Sequence, residues 1–246
     1  MRKVCLIELW GKYIAYKKPS VSHSTYAIVY RCQDRNYSVR SAQPGYRLGL
    51  AKEVLDDNNP MKAIAKPSFT FEEYLTYNDG TDNRYELVDG ELVLMNPPTG
   101  RHALVIRNIS NRLEAEIHRL GIPWVTLQMF GVRTAPRRSR LPDLIVTTLE
   151  QAKQLLDVSA IMEVGALLAV EVVSPDSVKT DYRYKRTEYA AAGIPEYWVV
   201  DPIAKKVTVL QFVEGLYEEN EYQGSSPIKS ELFPELTVTA DQIFQI

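Results

Sequence analysis

A chain of 246 residues, 45% hydrophobic and 24% charged, has the composition of a soluble globular protein with enough apolar mass for one large domain or two small ones. A formal net charge of −2 excludes a uniformly basic nucleic-acid-binding chain, although a basic stripe beside an acidic site remains compatible with it. Cys5 and Cys32 are too few for a disulfide framework and fit a reducing, cytoplasmic setting; no apolar run reaches the ~18–20 residues of a membrane span.

Residues 1–60 differ from the rest. They carry 10 Lys and Arg against 5 Asp and Glu, whereas 61–246 carry 19 against 26, so the sign of the charge changes. VCLIELWGKYIAY and TYAIVYRC read as short strands, but no period of 2 or 3.6 is sustained. This stretch is read as an N-terminal extension, either poorly ordered, a small accessory hairpin, or translated from a start assigned upstream of Met61. Residues 61–246 form the main domain.

In that domain Phe71–Leu75 reads as a helix start, with Thr70 as N-cap and Glu73 completing a capping box. YELV, Asp89-Gly90 and ELVLM read as a hairpin. HALVIRNISNRLEAEIHRLG reads as an amphipathic helix on Leu104, Ile106, Ile109, Leu113, Ile117 and Leu120, stopped by Gly121. Strand signals follow in WVTLQMFGVRTAP, as a pair or one bent strand, and in LPDLIVTT after a basic turn, PRRSR. LEQAKQLLD is a short helix. ALLAVEVVS is almost unbroken apolar and therefore central in a sheet. A helix over TDYRYKRTEYAAAG closes at Gly193, strands follow in PEYWVVD and KVTVLQFVEGLYEENEY, and FPELTVTADQIF ends with a short element. The order predicts an α/β fold, a mixed sheet flanked by helices. Glycine-rich nucleotide motifs and a GxSxG elbow are absent, and the three His lack metal-ligand spacing.

The chemistry concentrates in three places. Asp143 follows Pro142 in RLPDLIV, Glu171 interrupts the apolar LLAVEVVS, and Lys185 sits in the following helix. A carboxylate in an apolar strand is costly unless paired or metal-bound. Two strand-borne acids suit a hard cation such as Mg²⁺, and a nearby Lys suits a phosphate. A third acid, Glu86, lies in the hairpin without the turn role that explains Asp89. Each alone has an ordinary reading: a strand entry for Asp143, an ion-pair partner for Glu171, a solvent-facing residue for Glu86.

RYELVDGELVLMNPPTGRH, RLPDLIV and LLAVEVVSPDSVKTDYRYKRTEYAAAGIPEYWVVDP together resemble the Uma-two family of restriction endonucleases, a bacterial group within the PD-(D/E)XK nuclease superfamily. The resemblance spans Lys66 to Ile246 and is strongest from Ala169 to Pro202; residues 1–60 have no counterpart in it. It implies a restriction-endonuclease-like fold and metal-dependent hydrolysis of DNA phosphodiesters. It also implies Glu86, Asp143 and Glu171 as ligands of Mg²⁺, with Mn²⁺ as a substitute, and the backbone carbonyl of Val173 as a further ligand. The superfamily's Lys two positions after the acid is replaced here by Val173, and Lys185 matches the relocated position on the helix. Its implied role is to orient or deprotonate the attacking water, or to stabilise the phosphorane.

Arg133, Arg137, Arg138, Arg140, Arg183 and Arg186 are the candidate phosphate contacts, set against the ordinary reading of a solvated charged face. Gln128 is a weaker polar candidate, and His102 reads as a cap or surface residue. DNA is the expected partner, no membrane partner is expected, and a homodimer is compatible with the sequence. The competing readings are a non-catalytic binding or regulatory module of nuclease fold, a metal-dependent phosphoesterase acting on a small substrate, and a structural α/β protein whose acids pair with Arg.

Overall fold

The structure, a computed structural model, describes residues 68–245 and, within the preceding stretch, the backbone of four strands. The chain divides into two compact units, 1–64 and 65–246. In the first, β1 (Val4–Leu9), β2 (Lys12–Lys17), β3 (Tyr26–Arg31) and β4 (Tyr37–Ser41) form an antiparallel meander. The remainder of residues 1–60, and Met61 at the expected start of the main domain, lie outside the described residues.

The second unit opens with α1 (Phe71–Leu75), where the Thr70 hydroxyl accepts from Glu73 N and the Glu73 carboxylate accepts from Thr70 N, the capping box read from sequence. The hairpin β5 (Tyr85–Val88) and β6 (Glu91–Leu94) turns at Asp89 and Gly90, both left-handed with φ of 52° and 83°. A Cβ on Gly90 would meet the Arg137 guanidinium at 2.5 Å, so this glycine also permits a close approach.

The long helix α2 (Gly100–Leu120) is capped by Thr99 and ends at Gly121, φ 63°. Its buried stripe is Val105, Ile106, Ile109, Leu113 and Ile117, whereas Leu104 and Leu120 are exposed. The i, i+4 row from Val105 fixes the buried face, and Leu104 falls outside it.

Next come β7 (Trp124–Leu127), β8 (Gly131–Ala135), β9 (Arg138–Arg140), β10 (Leu144–Thr148), α3 (Leu149–Lys153), β11 (Ile161–Met162) and β12 (Leu168–Val172). A π-helical turn over Thr180–Lys185 runs directly into α4 (Arg186–Ala191). The chain closes with β13 (Glu196–Asp201), β14 (Lys206–Val213), β15 (Leu216–Gln223) and α5 (Ala240–Phe244).

These strands make two sheets. The larger runs β15-β14-β13-β12-β10-β7 and is mixed, because β12 and β13 are parallel while its other neighbours are antiparallel. The smaller runs β11-β8-β9-β5-β6. WVTLQMFGVRTAP therefore splits between sheets, β7 in one and β8 in the other, with Met129 left-handed at the bend, φ 66°. The expected basic turn PRRSR is largely strand β9, which carries Arg140 inward.

The central strands β12 and β13 are buried on both faces, as their apolar runs predict. Leu168, Val170, Val172, Trp198 and Val200 pack toward α2 and α5. Ala169, Val173, Tyr197 and Val199 pack on the opposite face with Tyr189 of α4. By the two-residue alternation of a strand, Glu171 falls on that second face.

Candidate active site

Glu171 is 3% exposed. Its Oε1 accepts the Tyr189 hydroxyl at 2.6 Å and its Oε2 lies 2.7 Å from Lys185 Nζ. Burial pushes the Glu171 pKa well above the ordinary carboxylate range; the Lys185 charge opposes this, and the negative charges of Asp143 and Asp181 add to it.

Asp143 enters β10 in an antiparallel register with β12 that pairs Leu144 with Val170 and Ile145 with Ala169. One step further, the same register sets Asp143 across from Glu171. Asp143 Oδ2 accepts Val172 N–H at 2.7 Å, and Oδ1 lies 3.0 Å from His102 Nε2 on the opening turn of α2.

Lys185 is 5% exposed and ends the π-helical turn. Besides Glu171, its ammonium lies 3.2 Å from Asp181 Oδ1 and 3.9 Å from Glu86 Oε1. Burial works to lower its pKa, but Glu171, Glu86 and Asp181 outweigh burial and raise it. These contacts favour the ammonium form, which suits an electrostatic role.

Glu86 points inward from β5. Arg140 Nη1 donates to its Oε2 at 2.6 Å and Leu141 N to its Oε1 at 3.1 Å. Arg140 also holds Glu188 of α4 by two bonds of 2.6 and 2.7 Å, a fork matched to a carboxylate. A buried chain of alternating charge results: Glu188, Arg140, Glu86, Lys185 and Glu171, closed by the Tyr189 hydroxyl. Asp181 joins from the side, with Ser177 Oγ donating to its Oδ2.

The arginines divide. Arg140, 4% exposed, is committed to the two glutamates and is not available to a phosphate. Arg137 bonds the Phe69 carbonyl and the Ser68 hydroxyl. Arg138 holds Asp89 in a bidentate pair and reaches Glu188 at 3.4 Å. Arg186 pairs with Glu219 and donates to the Tyr217 carbonyl. Arg133 pairs with Glu163 and lies over the Phe71 ring. Arg183 is exposed, and its side chain makes no ion pair among the described residues.

Gln128 is exposed in the bend after β7. The Val173 N–H donates to Val200 O at 2.8 Å. Val173 lies just beyond the end of β12.

Sequence reasoning set His102 down as a cap or surface residue and passed over Asp181, Glu188 and Tyr189. The Asp181–Lys185 pair had a signal, the i, i+4 spacing. The other three meet their partners only through the tertiary fold.

Residues 71–241 match the profile of the Uma2 family, described as "Putative restriction endonuclease". The chain belongs to this family. A solved structure described as a "putative nuclease belonging to DUF820" from Anabaena variabilis ATCC 29413 aligns with a TM-score of 0.61 and 17% identity, over 72% of this chain and 97% of its own. That likeness is one of fold, and it gives the Uma2 chain a restriction-endonuclease-like architecture. No curated protein matches it. No described helix is long and apolar enough to cross a membrane.

The Uma2 resemblance implies a divalent cation, which the donor set can be asked to fit. Among the described residues, no three Asp, Glu, His or Cys side chains are gathered to hold a metal ion. Glu86 is held by Arg140 and Leu141 N–H and is not gathered with Asp143 and Glu171 into the three-carboxylate set expected from sequence. The oxygens of Asp143 and Glu171 also have partners, Val172 N–H and His102 for Asp143 and the Tyr189 hydroxyl and Lys185 for Glu171; both are hard oxygen donors on facing strands, and Mg²⁺ is commonly held by only one or two carboxylates. The negative charge that Asp143 and Asp181 press on Glu171 is the charge a cation would relieve. The pair fits the ion on these grounds.

Proposed function

We propose that this Uma2 chain is a metal-dependent endonuclease that hydrolyses DNA phosphodiesters. The observation that carries the reading is the facing of Asp143 and Glu171 on neighbouring strands with the Lys185 ammonium 2.7 Å from Glu171. Mg²⁺ or Mn²⁺ held by Asp143 and Glu171 would supply charge to polarise the phosphate and stabilise the leaving oxygen. The chain's own part is positional and electrostatic. Lys185, kept protonated, faces the charge that develops on the phosphorane. Water adds to phosphorus and gives up a proton to solvent, the P–O bond to the leaving sugar oxygen breaks, and that oxygen takes a proton from solvent water. Glu86 acts through Arg140 and Lys185 as a positioning residue.

The test is supercoiled-plasmid cleavage with Mg²⁺ or Mn²⁺. The full chain is expected to cleave, Asp143→Ala to be inactive, and Lys185→Ala to lose on the order of 10²–10³ in rate per folded molecule, with a lowered melting temperature because its buried carboxylate partners lose their cation. Lys185→Arg should not restore the rate, because a planar guanidinium does not replace a compact ammonium. Equal cleavage by the full chain and by Asp143→Ala would sink the reading. No cleavage by either, with DNA still bound, would favour the non-catalytic binding module, in which the Lys185 and Tyr189 contacts to Glu171 are structural.

A further inference from the structure

Most arginines first credited with phosphate contacts are spent on internal partners, which leaves Arg183 and makes positive charge elsewhere on the surface worth seeking. A cavity of about 230 Å³ lies between the opening turn of α2, the β13–β14 turn and α5, and its lining includes Arg101, Lys205 and Asp241. Arg101 and Lys205 are both exposed, and neither side chain makes an ion pair or hydrogen bond among the described residues. The first turn of α2 contains no acidic residue to offset Arg101. Val105 and Phe244 give the cavity an apolar wall.

Its place in the fold ties it to the acids. His102, next to Arg101, lies against Asp143. The turn bearing Lys205 leaves the end of β13 that runs beside the end of β12, where Val172 N–H holds Asp143. Lys205 itself adopts the left-handed conformation, φ 53°, which a non-glycine residue adopts rarely.

We propose that this cavity binds a backbone phosphate of the DNA strand, held between Arg101 and Lys205, with Asp241 limiting its affinity. The inference rests on the DNA reading above and adds a subsite to it.

The experiment measures binding of a fluorescein-labelled DNA duplex to the full chain over a range of NaCl, in EDTA so that no cleavage occurs. Arg101→Ala combined with Lys205→Gly removes both charges, and glycine suits the backbone at 205. Loss of one neutralised phosphate should weaken binding several-fold at low salt and reduce the slope of log K against log salt by about 0.9. Asp241→Asn should tighten binding. An unchanged slope and affinity in the double variant, with its melting temperature preserved, overturns the subsite alone. If the double variant does not fold, unchanged or weaker binding by Asp241→Asn overturns it. Absence of binding by the unaltered chain even at low salt overturns both the subsite and the DNA reading. Plasmid cleavage that proceeds normally in the double variant, with unchanged DNA affinity, also rejects the subsite while leaving the acidic pair in place.

Discussion

Glu171 is a buried carboxyl whose surroundings disfavour its charged form. It is buried, and Asp143 and Asp181 press on it, so its pKa stands well above 4.5. The folded chain therefore binds this proton more tightly than the unfolded chain, and the contribution of Glu171 is full below about pH 4.5 and falls as pH rises through its folded pKa. Glu171→Gln keeps the shape and removes the charge that titrates. At pH 7–8 this variant should melt no lower than the unaltered chain, and any advantage should shrink as pH falls below the folded pKa. Thermal unfolding at several pH values is the measurement; a melting temperature several degrees lower at every pH would show that the charge stabilises the fold. A carboxyl retained at a position that disfavours its charged form is what a functional acid looks like. Its oddity was legible in the sequence because LLAVEVVS is otherwise apolar. The position of Asp143 across the ladder was legible only as a strand entry, and its contact with His102 was not legible, because nothing local brings together two residues so far apart in the chain.

At the level of elements, β9 shows where the reading failed and why. PRRSR has the composition of an exposed turn, yet residues 138–140 pair with β8, and Leu87 of β5 pairs with Ser139. That pairing places Arg140 between Glu86 and Glu188 inside the protein. The hairpin, the Thr70 capping box and the central strands were legible because each rests on local chemistry or periodicity. A strand defined by its neighbours has no such local signal, and the π-helical turn at Thr180–Lys185 was read as ordinary helix because its composition does not distinguish the two. The consequence for Arg140 is testable. Arg140→Ala strands two buried carboxylates, and breaking a buried pair by removing one partner costs about 3–5 kcal/mol. For a domain of this size that lowers the melting temperature by on the order of 10 °C. A surface Arg that touches only DNA would shift stability by about 0.5 kcal/mol or less. Denaturant unfolding of Arg140→Ala without DNA separates the two roles, and an unchanged midpoint would return Arg140 to the surface.

For the whole molecule, the question is which stretch folds by itself. The family match covers residues 71–241, and the compact second unit covers 65–246. The described apolar clusters of that unit draw on residues from Phe69 to Phe244. The segment just before α1 is part of the packing: Phe69 N donates to Gly90 O at 2.8 Å, Arg137 bonds the Phe69 carbonyl, and Thr70 caps the helix. We therefore expect a chain beginning at Met61 to unfold cooperatively, with a melting temperature within a few degrees of that of the second unit in the full chain. A chain beginning at Phe71 should fare worse. It loses the strap that ties α1 to the β5–β6 turn, and loss of the Thr70 cap alone costs about 1 kcal/mol. Differential scanning calorimetry of the two shortened chains and the full one tests this. Non-cooperative unfolding of the chain from Met61 would show that residues 1–60 are needed for the second unit to fold. Equal stability of the chains from Met61 and Phe71 would remove Phe69 and Thr70 from the account of how α1 is held.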